Sequence, residues 1–275
     1  MFSIEGRFIN HDSEERGRVE INTGTGLIEK VTSATGQADL VLGDELVFPG
    51  FGDIHVHARE DTSGEQMYKE DFQTMSKAAL HGGVTFVADM PNNPVPPVDD
   101  SSYEAKQKLV QSALVKTVLY AGIGPSTKPL STRVPYKVFM GPSVGDLFFE
   151  SFEQLESVIA KYNGCEISFH CENPEMISER QRPPEAEISA IEFALYLIKK
   201  YELQGKICHC STSEGVKLVA KSKEKGIHVT CEVTPHHLYF DQASLQVNPP
   251  LRTSQDRLAL VEALRDGTID YLATD

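Results

Sequence analysis

No run of about 18 apolar residues occurs anywhere in the chain, so no membrane-spanning helix is expected. A secretory leader is not expected either, because Glu5 breaks the first apolar stretch early; the cytoplasm is the expected location. Positive charge is scarce. Lys and Arg number 26 against 40 Asp and Glu, a formal net charge of −14. Such a balance argues against non-specific partners among nucleic acids and anionic membranes. A small neutral or anionic molecule remains open as a partner, since one local basic residue can override the global field. An even cysteine set is also lacking. Cys165, Cys171, Cys208, Cys210 and Cys231 make an odd count in strand-like segments, which suits buried reduced thiols better than a disulfide framework. Finally, no Gly-x-Gly-x-x-Gly turn follows a strand-like run, which weakens a dinucleotide-binding reading.

What is present suffices for a sizeable core: 275 residues at 40% hydrophobic content. Residues 1–48 read as a small β unit. Phe2–Ile9 and Arg18–Ile21 alternate like strands, and Thr23-Gly-Thr-Gly26 is a turn signal ahead of Leu27–Val31. From Leu46 the rhythm changes. Short apolar runs (47–57, 85–90, 117–123, 136–140, 166–171, 206–210, 228–233 and 271–275) alternate with helical patterns near 69–81, 101–114, 151–162, 186–203, 213–225 and 255–266. Pro183-Pro184-Glu185 and Ser213-Glu214 are helix-start signals. Eight strands alternating with helices predict α/β architecture with right-handed parallel crossovers, closed as a (β/α)8 barrel of the TIM type over 49–275. An open doubly wound sheet is the alternative.

In a barrel, chemistry sits where strands end. Here the runs end in His55-Val-His57, Asp89-Met-Pro-Asn92, Tyr136-Lys137-Val, Phe169-His170, Cys208-His209-Cys210 and Ala273-Thr-Asp275. His55 and His57 share one face of a strand, so both can reach one ion. A His-x-His is expected about 0.3 times by chance among nine histidines, so its position at a strand end carries the argument. His170 or His209 alone fits an ordinary hydrogen-bonded histidine. With the first pair they supply four nitrogens, enough for two divalent ions given a bridging group, and zinc suits imidazole and carboxylate. Alternation predicts that Cys208 and Cys210 point away from the face His209 uses. Lys137 fits either a salt bridge to a barrel carboxylate or a desolvated neutral amine, which can add carbon dioxide to become a two-oxygen carbamate ligand. Asp275 fits a capping carboxylate, or a metal ligand that also takes a proton from water.

In this order the motifs resemble the cyclic amidohydrolases, and among them the dihydroorotases. The resemblance runs over 46–275 through Pro49-Gly-Phe-Gly-Asp-Ile-His-Val-His-Ala-Arg-Glu60, Asp89-Met-Pro-Asn-Asn-Pro94, Tyr136-Lys-Val-Phe-Met140, His170-Cys-Glu172, His209-Cys-Ser-Thr212, Glu232-Val-Thr-Pro-His-His-Leu238, Asn248-Pro-Pro-Leu-Arg252 and Ala273-Thr-Asp275. It implies two zinc ions on His55, His57, Lys137 (carboxylated), His170, His209 and Asp275. It implies Arg59, Asn92 and Asn248 as substrate contacts, and Asp275 as the catalytic acid–base. The implied reaction is reversible hydrolysis of the cyclic amide of (S)-dihydroorotate to N-carbamoyl-L-aspartate, in pyrimidine biosynthesis. A homodimer, or association with another enzyme of that pathway, is the implied assembly. Arg59 is the residue that favours dihydroorotate, because a guanidinium pairs bidentately with its carboxylate, which hydantoin and dihydropyrimidine rings lack. Its other reading is a rim salt bridge with Glu60 or Asp61. Asn92 and Asn248, each followed closely by proline, also suit plain turns. The pair His236-His237 belongs to the resemblance and is read as packing. An allantoinase, hydantoinase or dihydropyrimidinase, and a non-catalytic barrel that binds a partner enzyme, are the other function classes.

The sequence departs from the family at Asp61-Thr62, where Pro-Gly is usual, and at Asn93, where threonine is. Arg180–Pro184 and Gln242–Val247 are short for the family. The family pattern also continues beyond the position of Asp275 with a histidine-rich loop, a last barrel helix and more of the small domain. A truncated barrel is therefore the expectation.

Overall fold

The computed structural model describes residues 1–33, 37–143, 147–178, 181–240 and 245–275. Of the two short stretches noted above, Arg180 and Gln242–Ser244 lie outside the described residues. The chain divides into two units, Met1–Phe51 and Gly52–Asp275.

The first unit is a four-stranded sheet of β1 (Phe2–Ile9), β2 (Glu14–Ile21), β3 (Ile28–Thr32) and β4 (Leu40–Val47), in the order β3-β2-β1-β4. The β1–β2 and β2–β3 pairs are antiparallel, and β4 joins β1 in parallel. The turn between β2 and β3 is held by the Asn22 carboxamide oxygen, which accepts from the N–H groups of Gly24 and Thr25. Gly26 takes φ +73° there, a conformation glycine reaches without a Cβ penalty.

The second unit alternates strand and helix. Its strands are β5 (Phe51–Val56), β6 (Val84–Asp89), β7 (Lys116–Leu119), β8 (Ala121–Ile123), β9 (Tyr136–Phe139), β10 (Glu166–His170), β11 (Gln204–Ile207), β12 (Val229–Val233) and β13 (Tyr271–Leu272). The helices between them are α1 (Phe72–His81), α2 (Asp100–Leu109), α3 (Phe152–Ile159), α4 (Pro184–Lys200), α5 (Ser213–Glu224), α6 (Pro235–Tyr239) and α7 (Ser254–Arg265). Local chemistry sets their starts. Asp71 with Thr74, Asp99 with Ser102 and Thr253 with Asp256 form capping boxes for α1, α2 and α7. Pro184 opens α4 at the first-turn position where its missing N–H costs nothing.

Hydrogen bonding joins the strands as β5-β6-β7 and β8-β9-β10-β11-β12-β13. The sequence suggested one third strand over 117–123; two short ones stand there instead. At Tyr120 the chain changes partners: its N–H donates to Asp89 O of β6, and the next N–H, from Ala121, donates to Pro135 O beside β9. β7 and β8 thus fill one barrel position between them, giving eight in all. The last position closes on the first. Asp275 N–H donates to His55 O at 2.9 Å, and Thr274 Oγ1 donates to the Asp53 carboxylate at 2.6 Å. The eighth strand itself is only two residues long, shorter than the run 271–275 suggested. The five-residue helix α6 was not anticipated by periodicity at all.

The main core lies between β8–β12 and α3–α5, around fully buried Tyr162, Phe149, Leu155, Ile167 and Phe169. A smaller cluster packs α1 against β6 and β7 through Phe72, Met75, Val87 and Leu119. Both lie outside the strand ring, which leaves the strand ends free for polar groups.

Candidate metal centre

β5 places His55 inward and fully buried; His57, one residue past its end, emerges on the same face. Their ring centroids are 5.3 Å apart. Both Nε2 atoms reach one oxygen, Asp275 Oδ1, at 3.1 and 2.8 Å. His170 ends β10, and His209 stands two residues beyond β11; His170 Nδ1 lies 2.9 Å from His209 Nε2. The His55 and His209 rings are 5.4 Å apart, so the two pairs form one cluster. Lys137, wholly buried in β9, lies within electrostatic reach of both His55 and His209. Its ammonium donates to Cys208 Sγ at 3.0 Å, and among the described residues it pairs with no carboxylate. All six strand-end groups singled out in the sequence therefore meet.

That contact corrects one expectation. Cys208 points inward, on the face Lys206 uses two residues earlier; strand alternation fails only after it. His209 has φ +34°, a left-handed backbone that turns its ring inward as well. Cys210 does face away, with Sγ near Glu187 Oε1.

Carboxylates stand behind two of the imidazoles, and the sequence reading gave them no role. His55 Nδ1 donates to Glu232 Oε1 at 2.7 Å, and that carboxylate also accepts from Lys206 Nζ at 2.8 Å and from His209 N–H at 3.2 Å. His170 Nε2 donates to Glu172 Oε2 at 2.8 Å, and Arg182 pairs with the same oxygen. Burial works against the charge on Glu232, yet His55 and Lys206 hold its carboxyl at about 2. Burial opposes a charged His55 too, but Glu232, and after it Asp275, hold it well above the ordinary imidazole value. Burial and then His170 hold His209 well below it. Asp275 is held far below the usual carboxylate range against its burial, chiefly by His55 and His57.

The donor set suits divalent ions. His55 Nε2, His57 Nε2 and Asp275 Oδ1 converge as an imidazole–carboxylate group of the kind that holds zinc. Among the described residues, His57 Nδ1 is buried with no hydrogen-bond partner. Cys208, His55 and Glu232 also lie together, but the amines of Lys137 and Lys206 already engage that thiol and that carboxylate.

A cleft of about 820 Å³ opens over this cluster. Arg59, Asn92, Asn248 and His236 line it beside the histidines and Asp275. Arg59 has φ +59° and its Nη1 lies 3.4 Å from Asn92 O. The two rim carboxylates that could have taken it are engaged elsewhere: Glu60 accepts from Phe72 N–H, and Asp61 from Ser63 and Val95 N–H. Burial lowers the Arg59 pKa against the pull of Asp89 and Asp275. His237 is buried as packing, with Nδ1 on the Thr234 hydroxyl and Nε2 on Pro249 O, and so ties the Asn248 segment to α6. Lys106 of α2 anchors the Asn92 loop by pairing with Asp89 at 2.6 Å and with Asn93.

Residues 46–134 match the description "Amidohydrolase family". The dihydroorotase of Pyrococcus furiosus is 34% identical over 267 residues, which cover 94% of this chain and 62% of that protein. That of Thermococcus kodakarensis is 36% identical, covering 94% and 64%. That of Lactobacillus helveticus is 34% identical over 307 residues, covering 98% and 68%. The chain thus spans somewhat under two thirds of the first two relatives. Among solved structures, L-hydantoinase (dihydropyrimidinase) from Arthrobacter aurescens superposes with a TM-score of 0.88 at 24% identity, over all of this chain and 69% of that one. That likeness establishes the barrel fold.

Proposed function

The chain belongs to the amidohydrolase family, in its dihydroorotase branch, and from that membership we propose that its barrel carries dihydroorotase activity. The reaction is hydrolysis of the ring amide of (S)-dihydroorotate to N-carbamoyl-L-aspartate, and its reverse. His55, His57 and Asp275 would hold one zinc ion, and His170 and His209 a second. Lys137, carboxylated, would bridge them. Ions held there would bring the acidity of water near neutrality and polarise an amide carbonyl. The chain supplies the rest. Asp275 takes the proton of the attacking water and returns it to the departing ring nitrogen. Arg59 pairs with the substrate carboxylate, and Asn92 and Asn248 offer amide groups to the same carboxylate or the ring. These groups stand on β-strand ends and the loops that follow them, which holds them relative to one another before substrate arrives. A homodimer or a pathway enzyme as partner, in the cytoplasm, accompanies this reading.

The observation that carries it is Arg59, unclaimed by Glu60 and Asp61 and lining one cleft with the four histidines and Asp275. Zinc-loaded protein is assayed on dihydroorotate, carbamoyl aspartate and hydantoin, before and after Arg59→Ala. Turnover of the first two is expected, with kcat/KM on dihydroorotate falling roughly 100-fold or more in the variant, the scale of a lost charge-assisted bidentate pair. Hydantoin turnover that exceeds dihydroorotate turnover in the wild type, or an Arg59→Ala variant equally active on dihydroorotate, sinks the reading.

A further inference from the structure

Two relays back the histidine cluster, each through a buried carboxylate, and they are built alike. In one, the His55 ring leans on Glu232, which leans on Lys206. In the other, the His170 ring leans on Glu172, which leans on Arg182. Both carboxylates are wholly buried, a costly placement for a charge unless it is paired and hydrogen-bonded. Each occupies one imidazole nitrogen and leaves the other facing the cluster. The exposed nitrogens differ: Nε2 on His55, which meets Asp275, and Nδ1 on His170, which meets His209.

We propose that Glu232 and Glu172 are positioning residues that select which nitrogen of His55 and His170 is presented to a metal ion, each carboxylate being itself anchored by its own cationic side chain. A histidine that donates one N–H to a carboxylate is locked in one tautomer and one ring orientation, and its other nitrogen becomes more basic. Glu232 has a second task. Through Oε1 it also receives the backbone N–H of His209, so one carboxylate orients the ring of one histidine and the backbone of another across β5, β11 and β12. Lys206 completes the arrangement: its ammonium lies 2.8 Å from Glu232 Oε2 and 3.4 Å from Ile54 O, the residue before His55.

This inference rests on the reading of His55 and His170 as metal-holding residues, and the experiment separates the two. Zinc affinity is measured by chelator competition on the wild type, on Glu232→Gln and on Glu232→Gln/Lys206→Met, with thermal stability of the metal-free form recorded for each. Glu172→Gln is the parallel arm. Expected are a 10- to 100-fold loss of zinc affinity in Glu232→Gln and in Glu172→Gln. In the double variant no buried ammonium is left unpaired, so stability should return toward wild type while zinc affinity stays low. A merely structural role predicts that the two recover together, and that result overturns the proposal. So does wild-type zinc affinity in a folded Glu232→Gln or Glu172→Gln. A wild type that binds no zinc at all removes the underlying metal reading, and the proposal with it.

Discussion

At the scale of single residues, the cluster was legible wherever an ionisable side chain ended a strand, and illegible where a partner came from far away. His55, His57, His170, His209, Lys137 and Asp275 announce themselves because buried strand ends seldom carry ionisable groups. Glu232 does not: it is one glutamate in a strand, and its meaning comes from His55, 177 residues away. Cys208 was misread because the alternation rule assumes extended backbone, and the left-handed turn at His209 breaks it. His237 gives a test at this scale. Burial, and next to it His236, hold its imidazole down to about 4, and both ring nitrogens are already committed, one accepting from Thr234 and one donating to Pro249 O. The unfolded chain takes up a proton near 6.5 that the folded chain refuses until about 4. The folded state therefore keeps its full His237 contribution above about pH 6.5 and loses it as the pH falls toward 4, by up to about 3 kcal/mol. The urea midpoint of the wild type should drop more steeply across that window than that of His237→Gln. Parallel curves for the two would show that His237 is not the group responsible.

At the scale of elements, the helices were the easier part. Their apolar spacing and their start signals are local, so α1, α4, α5 and α7 fall where the sequence put them, within a few residues. The third strand was not separable into β7 and β8, because the break at Tyr120 is a change of hydrogen-bond partner and leaves no mark on hydrophobicity. Helix-to-strand approach offers a prediction. Gly205 in β11 faces Ile198 of α4 so closely that a Cβ there would run into the isoleucine side chain. Gly205→Ala is expected to cost about 1–3 kcal/mol through overpacking, read as a lower urea midpoint at unchanged slope. The same substitution at Gly226, where no heavy atom lies within 4 Å of the added carbon, acts through its φ of +74° instead and should not be relieved by trimming a neighbour. Pairing Gly205→Ala with Ile198→Val should recover part of the loss, whereas no recovery would put the cost elsewhere.

At the scale of the whole molecule, a ring of eight strand positions was readable from the count and rhythm of the runs, and its sequence family from motif order. Which nitrogen faces inward, and what stands behind it, was not, because that depends on closure. Metal should act on the entire barrel unit. A ligand that binds only the folded form adds RT ln(1 + [L]/Kd), about 2.7 kcal/mol at 100 times Kd. For a unit of this size that raises Tm by roughly 5–10 °C. Zinc added back to chelator-treated protein is therefore expected to shift the melting curve upward, and an unmoved curve would count against a zinc site on these histidines. The Asp275–His57 contact joins residues 218 apart in the chain. Contacts of such high contact order come late in folding, since the entropy of closing so long a loop must be met before the contact is made. Two of the three side chains proposed for the first ion, His55 and His57, thus stand together once β5 and the residue after it are in place, but Asp275 joins them only after β13 docks on β5. If these residues hold an ion as proposed, its capture doubles as a proofreading event: a chain that has not closed lacks Asp275 beside His55 and His57 and would hold the ion less tightly.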